Sequence, residues 1–441
     1  MAGALLGMLA LGGVAIVALV SPSPQWSRQA IVVGRESGAM YAVGHDPDRL
    51  VPVANLAAGR LVLAALRRGG ATGDDPATAV PVVVPDATLG DAQRTAAAAV
   101  PGAESVRPDG PGVAPSWAVC DETGGDGGGP VATTVVAGAA RPPPGSSSGS
   151  SPGPPQADGV LLVVPGGRTW LVTGGRRHEI DLADRPLVTA FGIADRTPRP
   201  ANPDLVSAVP AGPTLATPFV PGRGGPAPAG VPGRVGDVLV RSSSGGPEQY
   251  YVVLAAGLQK LPPLVADVLR AAGGVSRPVG PEVLAVARSV DGLDVTRWPV
   301  SSPRILDPAE APFVCWTWVA DGRPETGVLL GTSLPVPAGG VTVALAQADG
   351  AGARADNVVL ADGGGGPVRA TGPGRAPGAG PLWLVSATGV THGVADADSA
   401  EALGITRAQP APEAALRMLP RGTLLDLAQA ARMVDVMPTG S

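Results

Sequence analysis

Residue types able to perform chemistry are sparse in this chain, and the pair that stands out is its only two cysteines, Cys120 and Cys315. Each lies in a tryptophan-marked segment, Ser116-Trp-Ala-Val-Cys120 and Phe313-Val-Cys-Trp-Thr-Trp318. An exported chain in an oxidising compartment is expected to join such a lone pair, whereas a cytosolic chain keeps it reduced. By the chain-entropy argument, closing so long a loop stabilises the fold by roughly 5 kcal/mol. Two unrelated buried thiols are the alternative. A nucleophile or metal pair fits less well, because neither cysteine has His, Asp or Glu at ligand spacing beside it.

Other motifs are weaker. A Walker A loop needs Gly-Lys-Ser/Thr, and the single lysine, Lys260, stands between Gln259 and Leu261, which excludes a P-loop ATPase. His45, His178 and His392 fall in or just after hairpins and read as exposed turn residues; a triad or zinc site gathered from distant segments is the competing reading. Gly-x-Ser-x-Gly occurs only at Gly145–Gly149 and Gly149–Gly153, in a low-complexity stretch without the strand-to-helix setting of a nucleophile elbow. Asp121-Glu122 could do acid–base work, but adjacent acids are expected in a solvated loop. Arg67-Arg68 and Arg176-Arg177 are likewise expected in solvent, with anionic lipid headgroups as the alternative contact. Trp117, Trp316 and Trp318 are expected to pack as core around the cysteines. No catalytic, cofactor-binding or metal residue is assigned, and on its own residues the chain reads as an anchored scaffold.

The elements that hold these residues begin with an apolar stretch. Met1–Ser27 carry no charge, and Gly3–Val20 are apolar throughout; as a helix they reach about 27 Å, enough to span a bilayer core. The missing basic n-region and the poor cleavage sequence at Ala18–Ser21 favour an uncleaved single span over a signal peptide. The nearest basic residue, Arg28, follows the span, so the positive-inside rule sets no orientation; the cysteines place the body outside. Gly (64) and Pro (50) exceed a quarter of the 441 residues, yet 44% are hydrophobic, as in a globular but loop-rich chain. A net charge of −5 with scattered acids and bases argues against a nucleic-acid partner.

Four stretches share one plan, two short β-rich runs and then an apolar helical stretch: Ile31–Leu66, Gly159–Ile193, Val235–Ala272 and Pro381–Ile405. Ser37-Gly38, Gly166-Gly167 and Gly245 supply the tight turns. Each unit buries too little alone, so the copies must pack on something shared. Val231–Val240 and Val341–Ala346 are candidates for a central β element joining the cysteine segments. Met418–Asp435 reads as a turn and helix, and echoes Ala208–Thr217, where a helix or strand likewise follows a Pro-Gly turn. The expected order is a transmembrane helix at 1–21, a juxtamembrane linker at 22–28, a first repeat region at 29–110 and a cysteine segment at 111–140. A Pro/Gly/Ser linker at 141–158, a second repeat at 159–200, a loop-rich connection at 201–234 and a third repeat at 235–290 follow. The central β domain with the second cysteine occupies 291–350, Gly-rich loops 351–380, and a fourth repeat with a C-terminal helix 381–441.

Several segments, in order along nearly the whole chain, carry a family resemblance. They are Gln29–Tyr41 (QAIVVGRESGAMY), Leu50–Leu63, Trp117-Ala-Val-Cys120, Ala208–Pro218 (AVPAGPTLATP), Pro221–Pro226 (PGRGGP), Val235-Gly-Asp-Val-Leu239, Gln249–Leu261, Val314-Cys-Trp-Thr-Trp318 and Leu419-Pro-Arg-Gly422. The set resembles EccB, the membrane-anchored component of actinobacterial type VII (ESX) secretion systems. The resemblance implies an α+β fold: a single N-terminal transmembrane helix, then an elongated periplasmic region of β-hairpin-plus-helix repeats around a central β domain tied by a disulfide. It implies a single-pass protein of the inner (plasma) membrane with its bulk on the periplasmic, extracytoplasmic side, serving protein export as a structural subunit. EccC, EccD and EccE are the implied partners, with self-association through the periplasmic part and the mycosin protease as a further contact; no cofactor is implied. Some family descriptions use the word ATPase, which the missing P-loop does not support. Family members begin with a basic cytosolic arm, so a chain starting almost inside the span implies a true start further upstream or a lost arm. The rival readings are an envelope enzyme, hydrolase or atypical ATPase, and a cell-wall-binding module stacking Trp170 and Trp383 on sugars.

Overall fold

The computed structural model describes residues 24–98, 100, 108, 113, 115–124, 132–139, 157–243, 246–320, 324–350, 352–361, 364–372 and 378–434. The transmembrane expectation at 1–21 and most of the linker at 141–158 lie outside them. Among the described residues no helix is long and apolar enough to cross a membrane. The chain is α+β, mostly sheet with short helices, and divides into two compact units. One comprises Met1–Val113, Gly364–Pro410 and Pro420–Ser441; the other comprises Ala114–Gly363 and Ala411–Leu419.

Four small sheets repeat one topology. Three strands form a meander, a helix follows, and a fourth strand returns to the free edge of the first, in spatial order third, second, first, fourth. In the first module these are Ile31–Gly34, Met40–Gly44, Arg49–Val53, helix Leu56–Arg68 and Pro81–Val84. The second uses Asp158–Val163, Thr169–Thr173, Arg176–Ile180, helix Arg185–Phe191 and Arg199–Pro200. The third uses Val238–Ser243, Gly246–Leu254, Gly257–Leu261, helix Pro263–Ala271 and Ser276–Pro278. The fourth uses Gly366–Thr371, Leu382–Val385, Thr391–Gly393, helix Ala397–Ala402 and Gln409–Pro412. The hairpin-plus-helix reading therefore lacked a strand on each side. Arg49–Val53 runs into Asn55, which caps the helix by accepting from the Ala58 amide at 2.8 Å, so strand and helix read as one apolar stretch. Gly166 and Gly167 take φ of 97° and 82°, the left-handed conformation a tight hairpin turn demands.

The modules bury their apolar faces in pairs. In one unit Ile31, Ala57 and Leu61 of the first module share a core with Leu384, Leu403 and Leu425 of the fourth. In the other, Leu161, Leu187 and Phe191 of the second module share one with Val252, Val265 and Leu269 of the third. This second unit also holds a six-stranded sheet in the order Glu325–Gly331, Phe313–Val319, Ser116–Glu122, Ala132–Ala137, Asn357–Leu360, Val341–Ala344. Its two inner cysteine strands pair directly. Cys120 opposes Cys315 in antiparallel register and the two are bonded at S–S 2.08 Å. Trp117, Trp316 and Trp318 are buried too, but at odd offsets from the bonded pair, so they line the opposite face of the sheet rather than packing around the cysteines, which lie among Ala118, Val136 and Val359.

Three expectations are corrected. Val238–Ser243 belongs to the third module, not to a central β element. Gly366–Thr371 is the first strand of the fourth module although it lies in the stretch read as Gly-rich loops; its side chains, mostly buried, outweigh the flanking glycines. The helix expected over Met418–Asp435 is confined to Leu427–Ala430, the chain before it running extended as it does after the turn at Ala208–Thr217.

Candidate functional site

Two polar arrangements are buried where modules meet the chain that leaves them, and sequence reading found neither. The first recurs. After each fourth strand the chain comes back beside the third strand and bridges it in parallel: Leu50 with Arg94, Arg177 with Ala211, Leu258 with Ser289, and Thr391 with Arg421. In three modules a polar side chain one step further along the third strand grips this strap by its backbone. Nδ1 of His178 lies 2.9 Å from the Pro213 carbonyl, and Nδ1 of His392 lies 3.0 Å from that of Thr423. Gln259 donates to the Leu293 carbonyl at 2.7 Å and accepts from the Gly292 and Leu293 amides. His178 and His392 are thus buried, 3% and 0% exposed, rather than turn residues in solvent; only His45 sits in an open turn, 2.9 Å from Asp48. Burial holds the His178 imidazolium below its ordinary range, and the charge of Arg176 acts in the same direction.

Gln259 shows what the position requires, an amide or ring donor aimed at a carbonyl. We expect His178→Gln to keep the strap, within about 1 kcal/mol, and His178→Ala to lose about 2 kcal/mol by stranding the Pro213 carbonyl. Thermal melts of the two variants check this. Because the folded state favours neutral His178, its contribution is present above the ordinary histidine range and is lost as pH falls below it. Gly212 and Gly422 make room for the rings: a Cβ on either would stand 2.2 Å from the histidine Cε1.

Aromatic residues on the second strands meet arginines. Arg94 lies over Tyr41, Arg177 over Trp170 at 5.1 Å, and Arg421 over Trp383 at 4.2 Å. Arg177 is therefore half-buried rather than solvated, with Nη1 donating to the Val206 carbonyl at 2.8 Å. The rings that a wall-binding module would lay on sugars carry guanidinium groups instead. Arg176, Arg67 and Arg68 are exposed, as is Lys260 on the strand Gly257–Leu261.

The second arrangement surrounds Asp121. It follows Cys120 on the strand Ser116–Glu122 and so points to the opposite sheet face, where it is 2% exposed rather than solvated. Its Oδ2 accepts from the Asn202 amide at 2.7 Å and its Oδ1 from the Thr133 hydroxyl at 2.9 Å. Asn202 Nδ2 donates to Thr133 Oγ1 at 3.1 Å, while Asn202 Oδ1 caps the helix Pro203–Ala208. The Thr133 amide donates to Asp356, which also accepts from Asp349 and Gly350 amides. Burial pushes the Asp121 carboxyl up to about 7; the Asn202 and Thr133 hydrogen bonds oppose that, the Asp356 charge adds to it, and the Arg199 charge opposes it. Arg199 is itself 2% exposed and donates from Nη1 to the Ala311 carbonyl at 2.6 Å, while its Nε and Nη2 have no hydrogen-bond partner. Burial lowers its guanidinium to about 10. Among the described residues no group of three or more His, Cys, Asp or Glu is placed to hold a metal ion. What this set of residues does is fasten: it ties the exit of the second module to the disulfide-bonded sheet.

Comparison with known proteins places this architecture. The family model for the type VII secretion system ESX-1 transport TM domain B, EccB, matches residues 1–439. The ESX-5 secretion system ATPase EccB5 of Mycobacterium tuberculosis is 35% identical over 450 residues, covering 97% of this chain and 84% of that protein. The ESX-3 secretion system ATPase EccB3 of Mycolicibacterium smegmatis is 32% identical over 460 residues, 99% of this chain and 84% of that one. Among solved structures, a chain of the periplasmic assembly from the ESX-5 inner membrane complex superposes with a TM-score of 0.76 at 33% identity, covering 96% of this chain and all of that one. The EccB3 dimer from the ESX-3 core complex gives 0.70 at 28% identity, over 92% of this chain. With a match of this extent in sequence and in fold, the chain belongs to the EccB family of type VII secretion systems.

Proposed function

We propose that this chain is a structural subunit of a type VII secretion inner-membrane core complex, anchored by one span within residues 1–21, with its folded modules on the periplasmic side. The observation that carries this reading is the superposition, over 96% of the chain, on a component of the periplasmic assembly of the ESX-5 inner membrane complex. The paired modules and the disulfide-tied sheet suit assembly work, since they present packed sheets and buried polar fasteners rather than a convergent set of reactive groups. Self-association through the modules is part of this reading, as are EccC, EccD and EccE as neighbours and the mycosin protease as a further contact. Removing the protein from its native cell is expected to abolish type VII export and to collapse the core complex on native gels. Intact export and an intact complex would overturn the proposal.

The names of the relatives favour a second reading, ATP hydrolysis. Lys260, the single lysine, is exposed on a strand opposite Tyr251 and has no Gly-rich loop beside it. Purified chain is therefore expected to release phosphate from ATP no faster than a buffer blank. Sustained turnover that co-elutes with the protein would establish the enzyme.

A further inference from the structure

We propose that the strand Glu325–Gly331, at one edge of the disulfide-bonded sheet, is an interface that pairs antiparallel with the same strand of a second copy of this chain. The inference rests on the self-association in the reading above, and adds to it which backbone makes the contact.

An uncovered strand edge is a hazard, because its free N–H and C=O groups pair with other extended chains. Among the described residues the four module sheets are guarded at both edges. A strap bridges each third strand. The fourth strands are short, and each carries proline: Pro81, Pro200, Pro278, and Pro410 with Pro412. Proline offers no amide to a further strand. One edge of the six-stranded sheet, Val341–Ala344, is only four residues long. The other edge is Glu325–Gly331, seven residues (ETGVLLG) without proline or lysine, in unbroken register with Phe313–Val319. Its Val328, Leu329 and Leu330 are half-buried.

The direction of its free groups follows from the ladder. Just beyond the paired cysteine strands the Thr123 amide donates to the Pro312 carbonyl, and the Ala320 amide to the Pro115 carbonyl. Even-numbered residues of Phe313–Val319 therefore bond toward Ser116–Glu122. Odd-numbered ones bond the other way, because the backbone groups of successive residues alternate sides. Their partners are Glu325, Gly327, Leu329 and Gly331, so the N–H and C=O of Thr326, Val328 and Leu330 point outward. No described residue bonds to them.

This strand matches itself. With Val328 on a two-fold axis, Val328 opposes Val328, and Thr326 of one copy opposes Leu330 of the other. Each outward amide then meets a carbonyl. On the other face of the strand Gly327 lies opposite Leu329, small against large, and the strand's charged residue, Glu325, lies opposite Gly331. No like charges meet, and the two six-stranded sheets become one continuous sheet. Seven residues are few beside the roughly 20–30 a side of a standard interface. The contact therefore closes between copies that one membrane already holds side by side.

Val328→Cys in the full chain, in its native membrane and treated with a short thiol-bridging reagent, tests this directly. Val328 meets itself on the axis, so a covalent dimer is expected on denaturing gels. Cys120 and Cys315 are bonded to each other and buried, out of the reagent's reach. Thr326→Cys is the control: in this register its two copies stand about 13 Å apart, and its dimer yield should be about tenfold lower. Adding Thr326→Pro to Val328→Cys removes an outward amide and spares the bonds to Phe313–Val319, so the dimer should be lost; adding Thr326→Ser should keep it. The two cysteine variants decide the matter even if the proline variant does not fold. Val328→Cys chains that stay monomeric, bridge to a different protein, or dimerise no better than Thr326→Cys overturn the proposal, as does a dimer that survives Thr326→Pro. Such a result leaves the secretion reading standing if EccC, EccD and EccE still co-purify. Their absence beside a strong Val328→Cys dimer overturns that reading alone.

Discussion

Breaking the Cys120–Cys315 bond, by reduction or by a double Cys→Ala substitution, is expected to lower the stability of its unit by about 3–5 kcal/mol. The two strands it joins are neighbours in the six-stranded sheet, yet 195 positions apart in the chain. Between them run the second and third modules, which fold around their own shared core. Without the bond, closing the sheet requires the unfolded chain to bring these distant strands together, and that lost entropy is the main cost. Desolvation adds little, because both cysteines are fully buried and a thiol behaves there as a small apolar group. The measurement is denaturant unfolding followed by the tryptophans flanking the bond, under oxidising and reducing conditions. Coincident curves would mean that strand pairing alone closes the sheet.

Replacing Arg60 by leucine is expected to cost the other unit about 3 kcal/mol. Arg60 lies on the helix Leu56–Arg68 and is 2% exposed, a setting in which arginine is rare. Its Nε donates to the Ala79 carbonyl at 3.2 Å, and its Nη1 crosses to the fourth module and donates to the Leu403 carbonyl at 2.9 Å. Leucine keeps the apolar packing and strands both carbonyls, so the loss comes from hydrogen bonding rather than volume. The control is Arg67→Leu, about two turns further along the same helix, where the side chain has reached solvent. Arg67 is exposed and its Asp75 partner is 3.8 Å distant and exposed too, so that change should stay within about 0.5 kcal/mol. Hydrogen exchange at Leu403 and the helix Ala397–Ala402 reports the effect, and equal exchange in the two variants would contradict it.

What could be read in the sequence was local. The echo between Pro210-Ala-Gly-Pro-Thr-Leu215 and Pro420-Arg-Gly-Thr-Leu-Leu425 is visible in the letters, and it is the strap of the second and fourth modules. The hairpins announce themselves through glycines whose turns need positive φ. His178 and His392, unlike His45, were misread because the groups that bury them arrive from about thirty residues downstream, and nothing within a hairpin foretells that. Gln259 escaped notice for the same reason, since only the shared register shows that it stands where His178 and His392 do. The stacked arginines change sides: Arg421 comes from the strap opposite Thr391, whereas Arg177 comes from the third strand opposite Ala211. A motif search fixed to one position sees no repeat there. Asp121 beside Glu122 looked solvated, but it sits on a strand covered on both faces, and only the sheet order reveals the second cover. Asn202, which caps the helix Pro203–Ala208, went unread in a stretch taken as a loop-rich connection, and a cap does not say what else Asn202 holds.

The measurement closest to the central claim is purification of the protein from its native membrane in mild detergent, without reductant, with every co-purifying chain identified by mass spectrometry. A structural subunit of the secretion core should bring an EccC-type motor with EccD and EccE in fixed ratio, and should release them when the fold is opened by denaturant. A protein that reproducibly purifies alone would contradict the account.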